Sequence, residues 1–415
     1  MSPYSARIAD TELEERLRYI GAVLVEGPKA CGKTETARQI AKSEVRLDVD
    51  RRSRETAELD PQLILDGEAP RLLDEWQLVP EIWNHVRRAV DDRQQPGQFI
   101  LAGSAQPTDD QTRHTGAGRI SRLTMRPMSL FELGMSRGEI SLSALLDGKP
   151  GSASDAGREL TEIAVAVCRG GWPAFKDLDL PDALKGVRDY LNEIPRDAQR
   201  LGQRHRRERV TRLIESLARN VATSVAASTL AKDASRLEDP ISEQTVASYL
   251  SSLSRLFAIE DQPAWQPHLR SRYRLRRAVK RHFVDPSLAV AALRGTPEGL
   301  MRDLNFLGLL FESMVVRDLR VYMQPLRGEV QYYKDNSGLE VDAIVDTGNV
   351  WGAFEIKLGG ENPVDEAAAN LLKFRDRIDT SRTGPPAVLG VIVANGYGYV
   401  RKDGVQVIPI ACLGP

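Results

Sequence analysis

The chain has 415 residues, and at roughly 150 residues per domain that length points to two or three cores. Lysine and arginine number 57 against 58 aspartate and glutamate, a net charge of −1 that draws the chain as a whole to no polyanion, so any nucleic-acid surface has to be local. Hydrophobic residues at 41% and charged residues at 28% exclude extended disorder, collagen-like repeats and a bundle of membrane spans.

Residues 11–19 read as a short Leu-spaced helix and residues 22–25 as a buried strand. A Gly-rich turn follows, and then good helix formers over residues 34–42, the strand, loop and helix order of a phosphate-binding loop. Residues 72–73 and 99–102 are further apolar runs, separated by an amphipathic segment at 82–90, an alternation that argues for a parallel α/β sheet. Residues 141–158 shift to Ser, Gly, Ala and Asp and read as an exposed connection. Helical periodicity dominates from 159 to about 256, and strands return at 330–333, 339–345, 350–356 and 387–394.

Residues 27–34, Gly27, Pro28, Lys29, Ala30, Cys31, Gly32, Lys33 and Thr34, fit the G-x-x-x-x-G-K-[ST] pattern at every fixed position. In that pattern backbone N–H groups wrap the phosphates, Lys33 reaches the terminal phosphates and the Thr34 hydroxyl ligates Mg²⁺. Downstream, an apolar run ends in Asp74 and Glu75, which would put Asp74 on the Mg²⁺ shell and Glu75 beside the attacking water. Ser104 closes a buried strand and could face the γ-phosphate, or simply end the strand. The loop at 114–119, from His114 to Arg119, presents an arginine that could stabilise a transferring phosphate in the same or a neighbouring subunit.

Taken together, residues 27–34, 72–75, 100–104, 114–119 and Arg-Pro-Met-Ser-Leu-Phe-Glu at 126–132 resemble the AAA-type P-loop ATPases of prokaryotes that carry a C-terminal domain of uncharacterised function. Gly-Gly-Trp-Pro at 170–173, Phe-Val-Asp-Pro at 283–286 and Phe-Leu-Gly-Leu-Leu-Phe-Glu at 306–312 are similar to the same family, so the resemblance spans nearly the whole chain. It implies that Lys33 and Thr34 are Walker A, Asp74 and Glu75 Walker B, Ser104 a sensor-like position and Arg119 an arginine finger, with ATP and Mg²⁺ as cofactors. A finger acting at a neighbour's site implies a homo-oligomer.

In the middle of the chain, Ser242 can cap a helix whose Val246, Tyr249, Leu250, Leu253 and Leu256 share one face, and with the short β-like segment that follows this is the pattern of a winged helix-turn-helix. Two basic stretches lie nearby: Arg204, Arg206, Arg207, Arg209 and Arg212, then Arg270, Arg272, Arg274, Arg276, Arg277, Lys280 and Arg281. They could neutralise DNA phosphates or pair with carboxylates of the chain itself.

Glu340-Val-Asp342, a turn at 347–349 and Glu355-Ile-Lys357 read as a hairpin whose register can bring Asp342, Glu355 and Lys357 to one spot. That spacing resembles the PD-(D/E)-x-K nuclease superfamily, with Glu312 on the preceding helix as the added acid and Val341 where a proline is usual. Two such carboxylates can hold Mg²⁺ or Mn²⁺ while the lysine orients water. Cleavage and a degenerate domain that only binds both remain open.

Three scattered cysteines, Cys31, Cys168 and Cys412, and five dispersed histidines give no disulfide framework or zinc spacing, and fit a reducing, cytoplasmic setting. No signal peptide or membrane helix is read. The expected fold is multidomain α/β: an AAA-type P-loop parallel sheet over 1–140, a helical linker or lid over 141–204, a winged helix over 205–292 and a restriction-endonuclease-like α/β domain over 293–415. The expected function is Mg²⁺-dependent ATP hydrolysis coupled to the winged-helix and nuclease-like domains and acting on DNA. The alternative is a nucleotide switch with little turnover, serving as a DNA-binding regulator, toxin or defence module. Nucleotide and DNA are the expected partners, and a membrane is not.

Overall fold

The computed structural model describes residues 4–104, 115–201, 206–267 and 278–415. They fall into two compact units, Met1–Pro127 with Arg255–Phe257, and Met128–Ser254 with Ala258–Pro415. Arg204 and the basic run at 270–277, with His114 of the expected finger loop, lie outside the described residues.

In the first unit α1 (Ile8–Leu17) leads into β1 (Ala22–Glu26), followed by α2 (Lys33–Arg38), β2 (Ser43–Arg46), α3 (Arg51–Leu59), β3 (Arg71–Asp74), α4 (Ile82–Arg93), β4 (Phe99–Gly103) and β5 (Ile120–Thr124). The five strands are parallel, in the order β2-β3-β4-β1-β5. β1 and β4 are buried at every position because both sheet faces are covered. Their side chains alternate accordingly: Val23, Val25 and Ile100 join Leu13, Leu72 and Leu123 on one side, while Leu24 and Leu101 join Leu73, Trp83 and Val86 on the other. The phosphate-loop pattern leaves from the carboxyl end of β1, with β4 and β5 as its neighbours.

The second unit begins earlier than the sequence suggests, at Met128. Residues 141–158, read as an exposed connection, begin instead with β6 (Ile140–Ser141) and α5 (Leu142–Leu146), and Leu142, Leu145 and Leu146 are buried. The composition is polar, but the leucines at spacing three and four supply a packing face. The helices α6 (Leu160–Arg169), α7 (Leu180–Leu201), α8 (Arg207–Arg219), α9 (Ala227–Ala234) and α10 (Glu243–Arg255) follow. Ser242 accepts from the Thr245 amide at 3.2 Å, as the cap expectation requires, and Val246, Tyr249 and Leu253 are buried. β7 (Ile259–Gln262) and β8 (Lys280–Phe283) form an antiparallel pair, and Thr223, between α8 and α9, bridges to Arg281.

After α11 (Pro286–Ala292), α12 (Pro297–Arg302) and the long α13 (Leu304–Met323) comes a second sheet. β9 (Glu329–Lys334), β10 (Glu340–Asp346) and β11 (Trp351–Lys357) form an antiparallel meander. α14 (Glu361–Arg377) then crosses to β12 (Val388–Val393), parallel to β11, and β13 (Tyr399–Val400) and β14 (Gln406–Pro409) complete the order β13-β14-β12-β11-β10-β9. Trp265, Trp351, Phe374 and Leu371 fill the core beneath α14. β15 (Leu413–Gly414) pairs with β6.

The motifs at 128–132, 170–173 and 283–286 and the helix that contains 306–312 converge in this unit on one buried ion network. Arg317 donates to Asp285 at 2.7 Å and to Asp318 at 2.7 and 2.8 Å. Asp285 also accepts from the Gly171 amide at 2.9 Å, and Asp318 from the Leu130 amide at 3.0 Å. A Cβ at Gly171 would stand 2.1 Å from the Met128 carbonyl oxygen, so only glycine permits that approach. Trp172 donates to Ser287 at 3.0 Å. These motif residues are packing and satisfaction devices, which their sequence spacing did not disclose.

Candidate functional sites

The candidate nucleotide site is built at the carboxyl edge of the first sheet. Gly27 follows β1 directly, and a Cβ there would come within 2.2 Å of the Met125 carbonyl oxygen, while Gly32, at φ 103°, takes a conformation closed to most side chains. Pro28 and Cys31 are buried, Lys29 and Ala30 are exposed at the tip, and the Cys31 thiol packs 3.9 Å from the same Met125 carbonyl. Lys33 opens α2 and donates to the carbonyls of Gly27 at 3.0 Å and Pro28 at 2.6 Å, so its ammonium is already held inside the loop.

Beneath the loop, the Thr34 hydroxyl donates to Asp74 at 3.0 Å. Burial pushes the Asp74 carboxyl up from its usual range, and the Thr34 hydrogen bond opposes that shift. Two oxygen donors this close fit a hard cation such as Mg²⁺. Glu75, just past β3 in a left-handed conformation (φ 53°), accepts from the Gln77 amide. Trp76 Nε1 and Gln77 Oε1 are buried without partners next to it, around the space left open by Gly103. Ser104 is buried directly after β4, whose Gly103 pairs with Glu26, so it stands on the same edge as the loop.

Arg119 does not. It precedes β5 at the amino edge, where its carbonyl accepts from Ala22, and its guanidinium pairs with Asp91 at 2.7 Å. A five-residue strand at about 3.3 Å per residue puts roughly 16 Å between that edge and the phosphate loop. Arg119 therefore cannot serve the nucleotide of its own chain, and the in-cis alternative is removed.

A residue that sequence reasoning missed supports the loop from below. Arg7, buried ahead of α1, donates to the Cys31 carbonyl at 2.7 Å and to the Arg126 carbonyl at 2.8 Å, tying the loop to the strand-end segment after β5. No motif marks it, since an arginine near a helix start is ordinary.

In the second unit, the hairpin register does bring Asp342, Glu355 and Lys357 together. Lys357 contacts Asp342 at 3.1 Å and Glu355 at 2.7 Å, and Asp342 also accepts from the Ile356 amide at 2.9 Å. Asn370 of α14 donates to Glu355 at 2.6 Å. Glu312 of α13 joins from the other side through a residue not foreseen there: Lys280 lies 2.9 Å from Glu312, 2.7 Å from Glu340 and 3.8 Å from Asp342. Burial, reinforced by Asp342, pushes Glu312 up to about 7 and Glu355 up to about 8. Burial also works against ionised Asp342, but Lys357, Lys280 and the Ile356 amide outweigh it and hold that carboxyl below its usual range. Among the described residues no group of three or more His, Cys, Asp or Glu side chains is arranged to hold a metal ion.

Among the described residues of the two basic stretches, most pair within the chain. Lys280 takes the second of its two expected roles and is buried among carboxylates, because alternate residues of β8 point inward. Arg281 donates to the Val225 carbonyl, and Arg209 and Arg212 both grip Asp239, whose carboxyl they hold far below its usual range. Arg206 and Arg207 are exposed. No described helix is long and apolar enough to cross a membrane.

Residues 20–134 match the family model of the AAA domain, residues 160–299 a domain of unknown function (DUF8612) and residues 307–413 a domain of unknown function (DUF4143). The first unit thus carries most of the segment that matches the AAA domain model, with the phosphate-loop pattern inside it. The chain is similar to the uncharacterised proteins Rv2008c of Mycobacterium tuberculosis and Mb2031c of Mycobacterium bovis, each 25% identical over 85% of this chain and 73% of the relative. Among solved structures it is similar to the Walker-type ATPase PABY2304 of Pyrococcus abyssi, at 15% identity and a TM-score of 0.44 over 71% of this chain and 99% of that one.

Proposed function

We propose that the protein is an Mg²⁺-dependent ATPase whose nucleotide state is coupled to a DNA-directed second unit. The observation that carries this reading is the contact between Thr34 and Asp74 beneath a loop that already encloses the Lys33 ammonium. Phosphate oxygens would replace the Gly27 and Pro28 carbonyls as acceptors for Lys33, while loop amides hold the remaining phosphate charge. Thr34 and Asp74 would hold Mg²⁺, which supplies charge neutralisation on the phosphates. Glu75 would orient and deprotonate the attacking water, with Ser104 facing the γ-phosphate. Arg119 suits a neighbouring subunit's site, which calls for a homo-oligomer.

In the second unit, α8, α9 and α10 followed by the β7–β8 pair support a winged-helix reading, with exposed Arg206 and Arg207 as phosphate contacts. Convergence of Glu312, Asp342, Glu355 and Lys357 supports a restriction-endonuclease-like fold of the PD-(D/E)-x-K type. Such a set would take Mg²⁺ or Mn²⁺ for cleavage; Lys280 inside it favours the form that binds without cleaving. The setting fits a cytoplasmic nucleotide and DNA partner.

Steady phosphate release from ATP with Mg²⁺, lost in Glu75→Gln while nucleotide binding persists, is the expected result. The contact of Gln77 with Glu75 favours one competing reading, a nucleotide switch acting as a regulator or defence module. Nucleotide binding without release, unaffected by Glu75→Gln, would establish that switch instead.

A further inference from the structure

Lys280 sits where three carboxylates of the second unit point inward from two elements. Its side chain is 4% exposed, with Glu312 of α13 at 2.9 Å, Glu340 of β10 at 2.7 Å and Asp342 of the same strand at 3.8 Å. The Tyr332 ring lies 5.5 Å from the ammonium, and its hydroxyl donates to the Ala278 carbonyl at the approach to β8. The Glu312 and Glu340 oxygens stand at hydrogen-bond distance from the ammonium, and the Asp342 oxygen lies within ion-pair range. Mg²⁺ would require them at about 2.0–2.1 Å and Ca²⁺ at about 2.3–2.6 Å, so either ion would need the carboxylates drawn inward and Lys280 displaced. Lys280 is far more deeply buried than Lys357, and a divalent ion placed among the same three carboxylates would meet its charge at close range with little solvent to screen the repulsion.

We propose that the Lys280 ammonium is the resident cation of this cluster and takes the position of a divalent metal, so that the native chain holds Glu312, Glu340 and Asp342 in a metal-free state. The inference rests on reading the cluster as nuclease-like, and it turns a basic-stretch residue into the group that suppresses metal chemistry. It also fastens β8, the second strand of the β7–β8 pair, to the C-terminal sheet through charge.

Mn²⁺ binding to the full chain without nucleotide, followed by electron paramagnetic resonance, tests it. The wild type and Asp342→Asn should bind equal amounts of Mn²⁺. Lys280→Met should gain one site per chain and a Mn²⁺-dependent rise in Tm, both lost in Lys280→Met with Asp342→Asn. Wild-type Mn²⁺ binding that Asp342→Asn removes would overturn the proposal even where Lys280→Met does not fold. So would a folded Lys280→Met chain that gains no site. Plasmid DNA retention on the wild type is read separately: its loss would remove the DNA-directed reading and leave the metal result standing.

Discussion

Asp74 accepts the Thr34 hydroxyl across 3.0 Å, joining the end of β3 to the first turn of α2 with the phosphate loop directly above. On the proposed reading that pair receives the cation beside the phosphates, and its chemistry depends on the charge of Asp74 rather than on the hydrogen bond. Asp74→Asn keeps an acceptor for Thr34 while removing the charge. Turnover of ATP with Mg²⁺ should fall at least ~100-fold, equivalent to ~2.7 kcal/mol of transition-state stabilisation. Nucleotide affinity should stop responding to Mg²⁺. An unchanged Mg²⁺ response, measured by titration with and without the metal, would contradict the assignment.

Arg7 donates to two carbonyls, through a buried bond to Cys31 inside the loop and a part-buried one to Arg126 after β5. Losing a buried bond of this kind costs about 1–3 kcal/mol where no other donor replaces it. Arg7→Ala should lower the Tm of the first unit and weaken nucleotide binding by roughly tenfold, an effect expected of a loop that has lost its support. Arg7→Lys, whose single ammonium cannot span both carbonyls as a planar fork does, should recover only part of the affinity. Full recovery by lysine in a calorimetric titration would argue that charge alone matters.

The Arg317 network makes a sharper demand on stability. Removing Arg317 leaves Asp285 and Asp318 buried without their counter-charge, a change that typically costs about 3–5 kcal/mol. Arg317→Met should therefore destabilise the second unit strongly, whereas Lys185→Ala, which breaks an exposed pair with Asp182, should leave the unfolding midpoint almost unchanged. Denaturant unfolding of the two variants decides this; similar midpoints would refute the contrast.

Asp239 sets an acid limit on the helical region. Its pKa is depressed by the hydrogen bonds from Arg209 and Arg212. A carboxyl with a folded pKa below its unfolded one binds fewer protons when folded, so its contribution is present above the unfolded value near 3.8 and fades as the pH drops beneath it. The Tm gap between wild type and Asp239→Asn should be full at about pH 6 and should shrink once the pH falls below about 4. A gap constant across that interval would show that the arginines do not depend on the Asp239 charge.

How much of this was legible in the sequence depended on how local the signal was. The phosphate loop is a contiguous pattern, and β1 and β4 are continuous apolar runs because they are covered on both faces. β2 (Ser-Glu-Val-Arg) and β5 (Ile-Ser-Arg-Leu-Thr) escaped notice since each is an edge strand with a partly exposed face. Asp342, Glu355 and Lys357 were found because a hairpin keeps them close in the chain. Lys280 was left between DNA phosphates and the chain's own carboxylates because its partners lie 32 to 62 positions downstream, and a run of basic residues looks the same whether it faces solvent or carboxylates. Glu312 could be placed on a helix, but nothing in its neighbourhood said which cation it would meet. Arg7, Gln77 and the network around Arg317 follow from tertiary packing alone.

The pairing of β6 with β15 carries a consequence for biogenesis. Ser141 donates to the Pro415 carbonyl at 2.5 Å across 274 positions, and Ile140 finds its strand neighbour at Leu413. A ribosome exposes the first of these edges long before it makes the second. Until then that strand is an unpaired template of the kind chaperones cover. Contacts so distant in the chain close late, so the second unit should mature after the first, whose five strands are finished by Thr124.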